Sequence, residues 1–146
     1  IHQVLKRYEN DELDIIVKGT GRISVKDISI HPDGYHIGSV EDYSDLIFSI
    51  NEDAVDNLKN VFLKLINLVD FKLDNIFWES FERTKLKSFK LAEKSGLTLE
   101  QQQELITLTN ENSRINYLIE HLDKLNKEIT EKSVLKKIVS ADGYLN

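Results

Sequence analysis

The sequence predicts an α+β protein, an antiparallel strand-rich part followed by a helical bundle, and three observations carry that prediction. Four of the six Gly and the only Pro lie within the first fifty residues. In the same stretch apolar residues alternate, through Leu13, Ile15 and Val17, then Ile23 and Val25, then Ile28 and Ile30, which is the period of a strand. From Asn51 onward the spacing lengthens to three and four residues, as in Val55, Leu58, Phe62, Leu65 and Val69, which is the stripe of an amphipathic helix. The boundary is accordingly expected between a β-rich part over 1–48 and a helical part over 49–146.

The first strand is read through Val4 to Tyr8 and the second through Leu13 to Lys18, with Glu9-Asn10-Asp11-Glu12 as the polar turn between them. Gly19-Thr20-Gly21 breaks the next junction. In His31-Pro32-Asp33-Gly34, Pro presets φ and Gly supplies a positive one, so a turn is expected there. The first helix is capped by Ser49 with Glu52, or by Asn51 alone. A second helical stretch spans about Leu73 to Lys94, with an interruption near Thr84, and Gly96 stops it in the left-handed conformation. Thr98-Leu99-Glu100-Gln101 reads as a capping box for a short helix through Leu105, Ile106 and Leu108. Asn110 caps the last helix, where Ile115, Leu118, Leu122, Leu125 and Ile129 keep a 3,4,3,4 spacing over two heptads. That is long enough for a packed seam and too short for an extended coiled coil. Beyond it the pattern slips to Leu135 and Ile138, and Asp142-Gly143 marks the end.

Composition narrows the function classes. At 146 residues and 40% hydrophobic the chain is one domain's worth, with enough apolar content for a core. No apolar run approaches the roughly 20 residues of a spanning helix, so no membrane partner is expected. Cys is absent, which excludes a disulfide scaffold and thiolate metal sites and fits a reducing, cytoplasmic setting. The chain opens on Ile1 and contains no Met, so residues upstream are expected. The first fifty residues hold five basic and nine acidic side chains, and the remainder fourteen and sixteen, so neither part is the cationic face that phosphate neutralisation needs. Lys85, Lys87, Lys90 and Lys94 beside Glu residues are read as a solvated helical face.

Catalytic chemistry finds little purchase. His31, Asp33 and His36 fall within six residues and would start a metal site only with a third or fourth ligand, while Pro32 and Gly34 make them ordinary turn residues. His2 lies near the end of the chain, and His121, between apolar helical positions, reads as a boundary residue. No Gly-x-Ser-x-Gly elbow or Gly-x-x-x-x-Gly-Lys-Ser/Thr loop occurs. Gly19-Thr20-Gly21 lacks the third Gly of a dinucleotide fingerprint and is followed by strand. Asp11-Glu12 and Glu41-Asp42 sit in turn-like surroundings that do not desolvate a general acid. No catalytic residue, metal or cofactor is therefore expected. The aromatic residues Phe71, Phe77, Trp78 and Phe81 have two readings: all core, or partly an exposed apolar patch that receives a polypeptide segment. Trp78 falls about 100° from the Phe77 and Phe81 face of a helix.

Two stretches resemble a known family. Val4-Leu5-Lys6-Arg7-Tyr8-Glu9-Asn10-Asp11-Glu12-Leu13-Asp14-Ile15-Ile16-Val17-Lys18-Gly19, then Arg22-Ile23, Gly34-Tyr35 and Gly38-Ser39-Val40-Glu41, resemble the β-rich part of the Lon protease N-terminal substrate-binding domain. Ala92-Glu93-Lys94-Ser95-Gly96-Leu97-Thr98-Leu99-Glu100-Gln101, followed by Arg114 and Tyr117-Leu118-Ile119-Glu120-His121-Leu122, is similar to that family's helical region. The order and spacing of these segments cover most of residues 3–139. The end of the chain, Lys136-Lys137-Ile138 through Asp142-Gly143-Tyr144, looks like the tail of short standalone bacterial relatives that lack ATPase and peptidase domains.

The resemblance implies a PUA-like β-barrel portion, incomplete at its N-terminus because the family's opening strands and their Phe-Pro-Gly-like segment are missing. It implies a non-catalytic module of protein quality control that binds unfolded or misfolded polypeptides, with a protease or a second copy of the chain as further partners left open. Tyr35, Ile37, Phe71 and Trp78 are the candidate polypeptide-binding residues, each placed off its element's core face. Three alternatives stay open: a PUA-like RNA-binding module, disfavoured by the acidic charge; a small-molecule enzyme with a site between the two parts; and an adaptor that binds a folded partner through its helices.

Overall fold

The computed structural model describes residues 1–46 and 49–142, with side chains to position 134. It is α+β, and the element order is β1 Gln3–Arg7, β2 Leu13–Ile16, β3 Ile23–Ile30, β4 His36–Asp42, α1 Glu52–Leu68, α2 Asn75–Arg83, α3 Lys87–Ala92, α4 Leu99–Thr107 and α5 Glu111–Asp142. Two compact units divide the chain, Ile1–Ser44 and Asp45–Asn146.

In the first unit β1 pairs antiparallel with β2, and β3 with β4, as two separate two-stranded sheets. The described strands close no barrel. The turn before β2 places Asp11 at φ 64°, a conformation Asp tolerates better than most residues, and Asn10 Oδ1 accepts from the Glu12 N–H at 3.3 Å. Gly34 takes φ 87° in the second turn, where its N–H donates to the His31 carbonyl at 2.8 Å. The register of β3 on β4 pairs Ile23 with Asp42 and Val25 with Val40, then resumes with Asp27 opposite Ser39 and Ile28 opposite Gly38. Lys26 is therefore a bulge residue. Without it, Ile28 and Ile30 would stand on the opposite face from Ile23 and Val25; with it, all four branched side chains share one face with Val40. The sequence pattern marks these as strand residues of the usual one-sided kind, yet no side chain of the first unit is buried.

The second unit holds the core. Val55, Leu58, Phe62, Leu65 and Ile66 of α1 are buried, as are Ile115, Leu118 and Leu122 of α5, so the two stripes read from the sequence face each other. Asn126 continues the α5 seam, buried, and its Nδ2 donates to the Val61 carbonyl at 3.2 Å. Phe77 and Phe81 of α2, Leu91 of α3, Leu97, and Leu105 of α4 complete the cluster.

Caps set most boundaries. Asn51, not Ser49, caps α1, its side chain accepting from the Ala54 N–H at 3.2 Å. Asp74 caps α2 by accepting from Phe77 N–H at 2.8 Å, and 84–86 separates α2 from α3, the interruption expected near Thr84. Gly96 takes φ 67°. The Thr98 and Gln101 capping box is present. Its geometry reaches further than its own helix: Gln101 Oε1 accepts from Thr98 N–H at 2.9 Å, which turns the amide nitrogen toward His121 Nδ1 at 3.2 Å. His121 Nε2 then donates to the Ser95 carbonyl at 2.8 Å, so both ring nitrogens hold the α3–α4 connection to α5. The helix α5 continues past the slip at Ile129 to Asp142, whereas the side chains of Leu135 and Ile138 and the end expected at Gly143 lie outside the described residues.

Burial differs so sharply between the units that substitution separates them. Leu118→Ala, at a position with no exposed surface, is expected to lower unfolding free energy by about 2–5 kcal/mol. Ile28→Ser, at a position 67% exposed, is expected to change it by less than about 0.5 kcal/mol. Urea unfolding followed by helical circular dichroism checks both.

Candidate functional site

Two surface regions and one buried network are the places where this molecule presents chemistry. The expected binding residues divide between the units: Tyr35 and Ile37 belong to the first, Phe71 and Trp78 to the second. Tyr35 closes the β3–β4 turn, accepting at its carbonyl from His31 N–H at 2.8 Å and stacking its ring on His31 with centroids 4.4 Å apart. Ile37 is exposed and lies opposite Ser29, so it shares the polar face of the hairpin with Asp27 and Ser39. Beyond Tyr35 and Ile37, the hairpin's other face carries Ile23, Val25, Ile28, Ile30 and Val40, each half or more exposed. Sequence reading missed this face as a site because alternation is ordinarily the mark of a covered strand. The phase slip between Val25 and Ile28 was its one available signal.

In the second unit the aromatic residues split. Phe77 and Phe81 are core. Trp78 is half-buried and makes edge contacts with Phe62, Phe77 and Phe81, while Lys59 Nζ lies 5.8 Å from its ring centre. Its outer side floors a shallow depression with Asn75, Glu79, Glu82 and Arg83. The charges around it are already paired, Lys59 with Glu82 at 2.9 Å and Arg83 with Glu79 at 3.4 Å. The Lys59 bond and charge hold the Glu82 carboxyl below its ordinary range. Phe71 follows α1, 48% exposed, held by its N–H to the Ile66 carbonyl at 2.8 Å.

The lysine run is not a uniformly solvated face. Lys87 Nζ donates to the Phe81 and Glu82 carbonyls at 2.6 and 2.8 Å, satisfying the end of α2, and sits 4.9 Å from the Phe81 ring centre. Lys90 lies over Phe77 at 4.7 Å and pairs with Glu93 at 2.8 Å. Two of the four ammonium groups are thus built into the α2–α3 packing.

The strongest electrostatic feature is Arg114, whose side chain has no exposed surface. Its Nη1 donates to Asp45 Oδ1 at 2.8 Å and to the Leu108 carbonyl at 2.6 Å, and its Nη2 to Asp45 Oδ2 at 2.6 Å and Glu111 Oε2 at 2.9 Å. Nε reaches Glu111 Oε2 at 3.0 Å and Ser88 Oγ at 3.2 Å. Glu111 also accepts from Ser88 N–H at 2.8 Å and from Ser88 Oγ–H at 2.7 Å, capping α3, whose own N-cap residue Leu86 offers no side-chain bond. Burial alone would disfavour the guanidinium charge, but the bonds to Asp45 and Glu111 outweigh it and raise the Arg114 pKa. A cleft of about 280 Å³ opens beside this network, lined by Leu46, Ile50, Lys85 and Leu86 among others. Glu111, whose oxygens are engaged by Ser88 and Arg114, holds helices together instead of offering a free base to that cleft. Among the described residues no group of three His, Asp or Glu is placed to hold a metal ion, and no helix is long and apolar enough to cross a membrane.

No family model and no curated protein matches the chain.

Removing the buried charge should be expensive on one side only. Arg114→Leu strands Glu111 and Asp45 and is expected to destabilise the helical unit by about 3–5 kcal/mol. The double variant Arg114→Leu/Glu111→Leu is expected to recover part of that loss in the same urea titration. A second prediction concerns Tyr117, whose hydroxyl donates to Glu104 at 2.9 Å. Desolvation and the adjacent carboxylate push its pKa up to about 12. The folded state therefore keeps a proton that the unfolded chain releases from about pH 10, so this contribution to stability is intact below pH 10 and fades as pH rises toward 12. Absorbance titration at 295 nm should show the highest-pH tyrosine step disappearing in Tyr117→Phe and moving to lower pH in Glu104→Gln.

Proposed function

We propose that this chain is a polypeptide-binding module that captures unfolded or misfolded segments without chemistry of its own. The observation that carries the reading is the open sheet face of Ile23, Val25, Ile28, Ile30 and Val40, whose members are all half or more exposed. A contiguous apolar surface of branched side chains is a site of association in a water-soluble protein. An extended chain meets such a face with its own alternate side chains. Tyr35, Ile37, Phe71 and Trp78 remain candidate contacts, with Phe71 and the exposed side of Trp78 offering a second apolar surface on the helical unit.

The particular family to which this reading points is the Lon protease N-terminal domain. What supports it is the order of the resembling segments together with an antiparallel β part preceding helices. A PUA-like barrel portion in the β-rich part, a protease as downstream partner and a cytoplasmic setting belong to the same proposal. An RNA-binding role is less well supported, since the first unit carries five basic against eight acidic side chains and nucleic-acid affinity rests on counterion release at cationic surfaces.

Fluorescence anisotropy tests the reading with a labelled, permanently unfolded protein, the same protein folded, and an RNA oligonucleotide, each at two salt concentrations. Binding of the unfolded chain alone is the expected result, with a salt response weaker than that of a nucleic-acid complex driven by counterion release, because its apolar part is not screened. Salt-sensitive RNA binding, or equal binding of the folded form, overturns it. Trp78→Ala separates the two surfaces: binding lost with thermal stability retained assigns contact to the helical unit.

A further inference from the structure

Resting on that reading, we infer that the partner adds as a strand to the outer edge of β4, and that its chemistry is an extended segment alternating branched apolar residues with Lys or Arg. Four observations lead there. The two strand edges of the β3–β4 sheet are unequal. β3 is interrupted by the Lys26 bulge, and a bulge with a lysine is a device that protects an edge from pairing. β4 runs seven residues, His36 to Asp42, with no bulge, Pro, Lys or Arg, and β3 is its only neighbour among the described strands.

The outward backbone groups of β4 follow from its two flanking bonds. Tyr35 carbonyl accepts from His31 N–H, and Tyr43 N–H donates to the Arg22 carbonyl, so odd-numbered residues of this strand point their N–H and C=O toward β3. In an antiparallel ladder the alternate residues point away, which leaves His36, Gly38, Val40 and Asp42 presenting donors and acceptors on the free side.

Gly38 stands in the middle of that row, and among the described residues nothing demands a glycine there. Its φ is not in the left-handed region, and a Cβ would meet Asp27 O and Val25 Cγ1 at 3.5 and 3.6 Å, ordinary contact distances. A glycine inside a strand commonly marks the close approach of another backbone.

Charge supplies the partner's composition. The charged residues of β4 are Glu41 and Asp42, and Asp27 stands opposite Ser39 on the polar face; Lys26, paired with Glu41 at 3.0 Å, is the one cation of the two strands. A strand laid along β4 would place one set of side chains beside Val40 on the apolar face and the other beside Ser39 and Glu41 on the acidic one. A second copy of the chain fits less well, because its own β4 carries no Lys or Arg to answer Glu41 and Asp42.

The test uses the full chain and a labelled nonapeptide of alternating Val and Lys. Expected are binding at least tenfold tighter than that of a Val/Glu nonapeptide, an advantage that shrinks with added salt, and loss of binding when one alternate set of peptide nitrogens is methylated but not the other. Val40→Pro, which deletes an outward N–H and no β3–β4 bond, should weaken binding at least tenfold; the methylated peptides give the same information with the protein unaltered. Equal binding of the Val/Glu peptide, indifference to methylation, or no binding overturns the inference, as does a chain dimer in sedimentation that the peptide does not dissociate. If the unfolded protein binds and the Val/Lys peptide does not, the strand-addition inference falls and the polypeptide-binding reading stands; if neither binds, both fall.

Discussion

The helical unit depends on one guanidinium. Arg114 ties the first turn of α5 to Asp45, to Ser88 at the start of α3 and to the Leu108 carbonyl at the end of α4. Three helices and the segment entering the unit are thereby held through one planar group whose five donors suit several acceptors at once. A lysine in its place would carry the charge without the fork. The network also explains where the second unit begins. Asp45 is bound into it, so the break between compact units falls at Ser44, a few residues before the change in apolar period that the sequence shows at 48 to 49.

Buried ion pairs are a weak source of net stability, because desolvation offsets most of their attraction. Their value here is geometric. The α1–α5 seam of Val55, Leu58, Phe62, Ile115, Leu118 and Leu122 supplies the apolar burial, at roughly 1.5–3 kcal/mol for each large side chain. Such a seam tolerates sliding by a turn. Arg114 and Asn126 do not, since a shifted register would separate Arg114 from Ser88 and Asn126 from the Val61 carbonyl. Polar residues at two depths of the same helix thus fix which turn of α5 faces which turn of its neighbours.

How much of this was legible in the sequence varies with the range of the interaction. The α1 stripe, the Thr98 and Gln101 capping box, the positive φ at Gly34 and Gly96 and the break near Thr84 are local, and each was readable from residues within one turn of it. The choice of Asn51 over Ser49 as the α1 cap was not, because Asn112 Oδ1 accepts from the Asn51 N–H across 61 residues. The capping of α3 by Glu111 and the use of Lys87 and Lys90 inside the α2–α3 packing were hidden for the same reason. Of the candidate site, Tyr35, Ile37 and Phe71 are exposed, whereas Trp78 packs partly buried against the core. Local spacing does not tell which face of β3–β4 is left open, since periodicity reports that a face is apolar and says nothing about what covers it.

That last distinction decides how the first unit works. A two-stranded sheet has little independent stability in water, and here neither hairpin buries a side chain. Its order therefore rests on backbone pairing, turns at Asp11 and Gly34, and local contacts such as His31 on Tyr35. A surface of that kind gains more from a partner than a prepacked one does. Under the proposed reading, a partner that extends the sheet along β4 or lies over its apolar face would supply pairing and burial that the sheet otherwise lacks, and binding and ordering would reinforce each other. The helical unit, with its own core and its Arg114 clasp, has no such need, and its stability is expected to change little when the first unit is occupied.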